Sequence, residues 1–117
     1  MKTVVLDTNF ILHCISYKID FMRELERLLD ERFEACIFNK TLHELEGKKE
    51  GRLAKALIEK LGIKLIKAPE GMNVDSALLD LPPLTLVGTQ DKALKEKLKK
   101  RGIEVISIRQ KQYLTTV

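Results

Sequence analysis

At 117 residues the chain has room for one domain and one hydrophobic core, and a make-up of 44% hydrophobic and 32% charged residues excludes both a disordered tail and a membrane-spanning segment. The 21 basic residues outnumber the 17 acidic ones, a net charge of +4 that suits a polyanionic partner without requiring one. The opening run Met1 to Leu6 meets a charge at Asp7, too soon for a signal-peptide core, so a cytoplasmic protein with no membrane partner is expected.

Thr3-Val4-Val5-Leu6 reads as a first strand, and Asp7-Thr8-Asn9 can cap a helix through Phe10, Ile11, Leu12 and Ile15. From Asp20, Phe21, Leu25, Leu28 and Leu29 recur at helical spacing, with charges elsewhere. Ala35 to Phe38 is a second strand. Asn39 is expected to cap a short helix over Thr41 to Glu46, stopped by Gly47. Leu53, Leu57 and Leu61 make an apolar stripe on the next helix, followed by a third strand over Ile63 to Lys67. Asn73 can cap a helix through Val74, Ala77, Leu78 and Leu81, closed by Pro82-Pro83. Leu84 to Val87 is a fourth strand, Lys92 to Arg101 a lysine-rich helix, and Glu104 to Ile108 a fifth strand. The tail to Val117 has no assignment.

Strands this apolar are buried on both faces, and their alternation with helices calls for parallel connections. The expected fold is a single α/β domain over residues 1–117, a sandwich of parallel sheet and flanking helices. Cys14 and Cys36 sit in apolar stretches and read as small buried thiols; only His13 and His43 are on hand to complete a zinc set.

Two acids mark where chemistry belongs. Asp7 directly follows the first strand, and Asp91 follows the fourth in Gly88-Thr89-Gln90-Asp91. In an open parallel sheet, ligands bind at the carboxyl edge where strand order reverses. Glu44 lies about a turn beyond the second strand, and Asp75 in the first turn of the helix leading to the fourth. Each also has a local explanation: Asp7 and Asp91 as helix caps, Asp75 against a helix dipole, Glu44 as a solvated glutamate. Their shared edge is what raises the functional reading. Helical spacing does not separate Glu44 from Glu46. Gathered carboxylates without paired lysines call for a cation, and hard oxygen donors suit Mg2+ or Mn2+.

The set Val4-Val5-Leu6-Asp7-Thr8-Asn9, His43-Glu44-Leu45-Glu46, Val74-Asp75-Ser76-Ala77-Leu78-Leu79 and Gly88-Thr89-Gln90-Asp91-Lys92-Ala93-Leu94, followed by Arg101 to Arg109, resembles the PIN-domain nucleases. The likeness runs through nearly the whole chain, in order. It is nearest to a small archaeal branch akin to small-subunit rRNA-processing endonucleases, and next to VapC-type toxin ribonucleases. The resemblance implies a five-stranded parallel sheet of order 3-2-1-4-5 and RNA hydrolysis at an acidic site formed by Asp7, Glu44, Asp75 and Asp91. These would be the catalytic residues and the ligands of magnesium or manganese, with Asn9 and Thr89 in supporting positions. Many relatives carry two adjacent acids where this chain has Asp75-Ser76, which leaves one or two ions open.

Setting the four acids aside leaves 13 of the 17 against 21 basic residues, a surplus of about +8 for the remaining surface. Lys48, Lys49, Arg52, Lys92 and Lys95 are the expected RNA-phosphate contacts. With 5% aromatic residues to stack bases, little intrinsic sequence specificity is expected. The partners implied are RNA and either an antitoxin or a pre-ribosomal particle. Apolar residues left unassigned, Phe21 and Met22, suggest a homodimer. The alternative is a catalytically silent PIN-fold module that binds RNA or serves ribosome assembly. Other α/β families fit less well: strand three ends Lys67-Ala68-Pro69, without the aspartate of a phospho-receiver, and Asn9 replaces the second acid of an aspartyl-phosphate phosphatase.

Overall fold

The computed structural model describes residues 1–117. In chain order it has β1 (Lys2–Leu6), α1 (Thr8–Ser16), α2 (Phe21–Leu29), β2 (Phe33–Phe38), α3 (Asn39–Leu45) and α4 (Gly51–Lys60). There follow β3 (Lys64–Ile66), α5 (Val74–Leu79), β4 (Thr85–Gly88), α6 (Lys92–Lys100), β5 (Glu104–Arg109) and β6 (Tyr113–Thr116). The strands make one sheet of order β3-β2-β1-β4-β5-β6. Five are parallel, in the predicted order, and β6 runs antiparallel to β5.

The period-two alternation of each strand divides its side chains between two cores. Val4, Leu6, Ala35, Ile37, Leu86 and Ile106 face one side, where Phe10, Ile11, Phe21, Leu25, Leu45, Ala54 and Ile58 pack from α1 to α4. Val5, Cys36, Phe38, Val87 and Val105 face the other, against Val74, Ala77, Leu78, Leu94 and Leu98 of α5 and α6. With both faces covered, the inner strands carry apolar residues at consecutive positions. The chain builds outward from β1 to β3, then crosses back to place β4 on the other side of β1. That reversal opens a crevice beyond the carboxyl ends of β1 and β4.

The sixth strand corrects the expected all-parallel, five-stranded sheet. The turn Arg109–Gln112 reverses the chain, the Gln112 N–H donating to the Arg109 carbonyl at 3.0 Å. Both central residues are left-handed, Gln110 at φ 53 and Lys111 at φ 54, and neither is a glycine or asparagine that would announce the turn. A helix then secures the new edge. Glu24 Oε1 accepts the Leu114 N–H at 3.0 Å, Arg27 Nη2 donates to the Leu114 carbonyl at 2.8 Å, and the two side chains pair with each other. Main-chain groups that an edge strand leaves open are thereby satisfied from α2. A non-glycine residue in the left-handed region costs about 1 kcal/mol, so Gln110→Asn with Lys111→Gly is expected to raise stability by about 1 kcal/mol. Urea unfolding monitored by far-UV circular dichroism measures it.

Three further expectations are corrected by packing. The Leu53-Leu57-Leu61 stripe does not face the core: Leu53 is 48% and Leu61 37% exposed, while Gly51, Ala54 and Ile58 are buried. The close approach of Gly51 to α3 sets the roll of α4, which turns the next residue's row inward. Asn39 is not a cap but the first residue of α3, and its Oδ1 accepts the Ala68 N–H at 3.0 Å. Phe21 is 3% exposed within the core, which removes it from the expected dimer interface, while Met22 is half-buried and packs partly against that core. No helix is long and apolar enough to cross a membrane.

Candidate active site

Asp7 is the hinge between β1 and α1. Its N–H continues the sheet by donating to the Gly88 carbonyl at 2.9 Å, and its backbone stays extended. The carboxylate is 7% exposed and engaged on both oxygens. Oδ1 accepts the Thr8 N–H at 2.8 Å, and Oδ2 accepts the Thr89 hydroxyl at 2.9 Å. Burial raises its pKa, the Thr89 hydrogen bond opposes that, and the charges of Asp75 and Glu44 raise it further.

Thr89 ties the two central strands together at this edge. Fully buried, it donates its N–H to the Ile106 carbonyl at 3.1 Å, while its hydroxyl serves Asp7 and accepts the Asp91 N–H at 3.2 Å. Asp91 caps α6 through Oδ1, which accepts the Leu94 N–H at 3.0 Å; Oδ2 has no protein donor. The capping and functional readings are therefore compatible, because a cap occupies one oxygen of two.

Glu44 reaches the same place from α3. Its Oε1 accepts the Thr8 hydroxyl at 2.5 Å, whereas Glu46 points outward and pairs with Lys55 at 3.2 Å. The choice that helical spacing left open is made by the roll of α3. Asp75 enters from the first turn of α5, whose cap Asn73 accepts the Ser76 N–H at 2.8 Å. Desolvation raises its pKa, as do the charges of Asp91 and then Glu44; Lys97 acts in the opposite sense.

All four acids line one pocket of about 340 Å³, with Thr8, Asn9, Asn73 and Lys48 between them. None forms an ion pair: the four salt bridges, Lys2–Glu31, Arg27–Glu24, Lys55–Glu46 and Lys64–Glu34, lie elsewhere. Nor do any three acidic, histidine or cysteine side chains make a ready-formed metal cage. The four carboxylates line the pocket without closing on one another, and Asp7 and Glu44 are held in place by hydroxyls. The donor set nonetheless fits a hard divalent ion: oxygens only, unpaired with basic groups, and two carboxyls whose charged form is penalised until a cation arrives. Magnesium and manganese meet that description.

The structure brings Asp7, Asn9, Glu44, Asp75 and Asp91 to the pocket, with Thr89 directly beneath it. Two participants were missed as such. Thr8 was read only within the capping triplet, although its hydroxyl is what aims Glu44; Asn73 was read only as a cap. Of the expected phosphate contacts, Lys48 stands at the pocket, and Lys49, Arg52 and Lys92 are exposed. Lys95 is different: its ammonium turns inward and donates to Ser107 Oγ at 2.6 Å, which withdraws it from the surface set. Cys14 is fully buried and Cys36 is 1% exposed, as expected of small buried thiols, and burial pushes them up to about 12 and about 11 respectively.

Comparison with known proteins finds likeness in both sequence and fold. The family described as a PIN like domain matches residues 4–111. Ribonuclease VapC4 of Methanocaldococcus jannaschii is 35% identical over 125 residues, covering 97% of this chain and 95% of that protein. The solved structure of the PIN domain endonuclease Utp24 superposes with a TM-score of 0.86 at 27% identity, over 97% of this chain and 90% of that one.

Proposed function

This chain belongs to the PIN-like domain family, and on that footing we propose that it is a magnesium- or manganese-dependent endoribonuclease. One observation carries the reading: four carboxylates, delivered by four separate segments of the chain, share a pocket that offers none of them a basic ion-pair partner. When bound there, the divalent ion supplies Lewis-acid polarisation of a phosphate oxygen and a water of lowered pKa. Asp7, Glu44, Asp75 and Asp91 are the residues that would hold it.

The chain's own contributions are orientation and charge. Thr8 and Thr89 fix Asp7 and Glu44 through hydroxyl hydrogen bonds, so these carboxylates need not reorganise when substrate arrives. Asn9 and Asn73 place neutral amides beside the acids, suited to donate to phosphate oxygens without drawing the carboxylates into ion pairs. Lys48, the cation of the pocket lining, holds the flanking phosphate, and Lys49, Arg52 and Lys92 extend that track along the strand. RNA is the substrate class because a 35% identical relative is a ribonuclease. The cellular role is rRNA processing or a VapC-like toxin, with a pre-ribosomal particle or an antitoxin as the corresponding partner.

The test is cleavage of a structured RNA by purified protein with Mn2+ and with excess chelator. Products are expected with the ion alone, and Asp91→Asn is expected to lose them. Unchanged cleavage in chelator overturns the mechanism, and RNA binding without cleavage in any divalent ion favours the silent module. For phosphate tracking by four basic side chains, the logarithm of RNA affinity should fall with the logarithm of salt with a slope of about −3 for single strands. A flat salt titration by fluorescence anisotropy would remove those residues from the interface.

A further inference from the structure

A part-buried polar chain runs from the residue before Asp91 into β5. Gln90 stands between Thr89 and Asp91, and its Oε1 accepts two hydrogen bonds from β5: from Ser107 Oγ at 2.5 Å and from the Ile108 N–H at 2.7 Å. Ser107 is 3% exposed, and its hydroxyl oxygen accepts from Lys95 Nζ at 2.6 Å. The direction of the chain is forced. An ammonium only donates, so Ser107 accepts from Lys95 and gives its single proton to the glutamine carbonyl oxygen.

The sheet explains why an acceptor is needed there. Thr89 donates its N–H to the Ile106 carbonyl at 3.1 Å, which extends the β4–β5 ladder by a rung. A parallel ladder would continue with the Ile108 N–H donating to the main chain of the neighbouring strand. The Gln90 side chain takes that N–H instead. The main chain is thereby released from β5 after Thr89 and turns into α6, while the side chain keeps the turn fastened to the sheet. Asp91 is held on both sides, by this fastening before it and by its bond to the Leu94 N–H after it. Its Oδ2 is left without a protein donor, and Asp91 lines the pocket.

We propose that Gln90, braced by Ser107 and Lys95, is a positioning residue that holds Asp91 at the pocket and so sets the site's grip on its divalent ion. The inference rests on the metal-dependent reading of the same pocket, and it gives Lys95 a task other than RNA contact. Removing a partner that orients a metal-binding side chain typically weakens metal affinity by about tenfold to a hundredfold.

The experiment is calorimetric titration of the purified protein with Mn2+ in the absence of RNA, alongside steady-state RNA cleavage. Gln90→Leu keeps the bulk and removes the acceptor. Its Kd for Mn2+ is expected to rise about tenfold, with a fall in kcat at fixed Mn2+ and an unchanged KM for RNA. Gln90→Glu retains an oxygen for both donors and is expected to restore Kd to near the wild-type value. Ser107→Ala, which removes the brace from the β5 side, should move Kd in the same direction as Gln90→Leu. A purely structural role would lower the melting temperature and leave Kd unmoved in the folded fraction. Wild-type Kd in Gln90→Leu, or no rescue by Gln90→Glu, overturns the positioning role alone. Absence of Mn2+ binding by the wild-type protein overturns the metal-dependent reading, and this inference with it.

Discussion

Asp7→Asn is expected to abolish RNA cleavage while making the metal-free protein more stable at neutral pH. The loss of activity should be about a thousandfold, roughly 4 kcal/mol, because the most buried carboxylate of the proposed metal site would no longer carry charge. The gain in stability follows from the same burial. Asp7 is pushed above its ordinary pKa of 3.8, first by desolvation and then by Asp75 and Glu44, so its charged form is disfavoured in the empty fold. Asparagine is close to isosteric. Its Oδ1 can still accept the Thr8 N–H, and Nδ2 can donate to a Thr89 hydroxyl that rotates to receive it.

The sign with pH is fixed by proton uptake. Folded-state pKa values of Asp7 and Asp75 lie above the unfolded value near 3.8, so between those limits the folded chain binds more protons than the unfolded one. Their contribution to stability therefore falls as pH rises through that window and stays lost at neutral pH. A divalent ion prefers the charged carboxylates and offsets the loss. Differential scanning fluorimetry should show a larger rise in Tm on adding Mn2+ at pH 7 than at pH 4 for wild type. Asp7→Asn should show a smaller rise at pH 7. Wild-type cleavage by Asp7→Asn, or an Mn2+ effect equal at both pH values, would place the ion elsewhere.

Gly51→Ala is expected to be the most damaging small substitution in the fold. A Cβ at Gly51 would stand 2.0 Å from the Leu45 carbonyl oxygen and 3.1 Å from its carbon, both main-chain atoms that no rotamer change can move. Alanine gains about 1 kcal/mol of helix propensity over glycine, which would make the change favourable on an open helix. Here overlap with a neighbouring backbone wins, because α3 and α4 must separate, at a cost of about 1 to 3 kcal/mol after relaxation. For a chain of this size that is a fall in Tm of roughly 4 to 12 °C. The displaced residue adjoins Glu44, so cleavage should weaken beyond what the folded fraction explains. An unchanged Tm would show that the α3–α4 junction yields freely. Gly88→Ala is a milder case, its Cβ meeting the Leu6 and Phe10 side chains at 2.9 and 3.0 Å, atoms that can give way.

Much of this was legible in the sequence because it is written in local patterns. Apolar-rich runs of four or five residues marked the five parallel strands, and an acid just past strands one and four marked the candidate binding edge. Asp20, Asn73 and Asp91 announced their helices, since a cap needs only a side-chain oxygen and the amides just after it. The sixth strand was not legible. Its turn uses left-handed Gln110 and Lys111, and its outward main-chain groups are answered by Glu24 and Arg27 some ninety residues away.

The other decisions left to the tertiary structure are of one kind: which of several locally similar side chains turns inward. Glu44 rather than Glu46 reaches the pocket because Thr8 is there to receive it. Ala54 and Ile58 rather than Leu53 and Leu61 enter the core because Gly51 alone can approach Leu45. Lys95 folds onto Ser107 while Lys92 stays in water. The roll of a helix about its axis is set by what it packs against, and spacing along one chain segment does not contain that partner. The sequence by itself determined the five parallel strands, the caps at Asp20, Asn73 and Asp91 and the supply of four acids; only the packed sheet decided that these acids share one pocket and stay free of ion pairs.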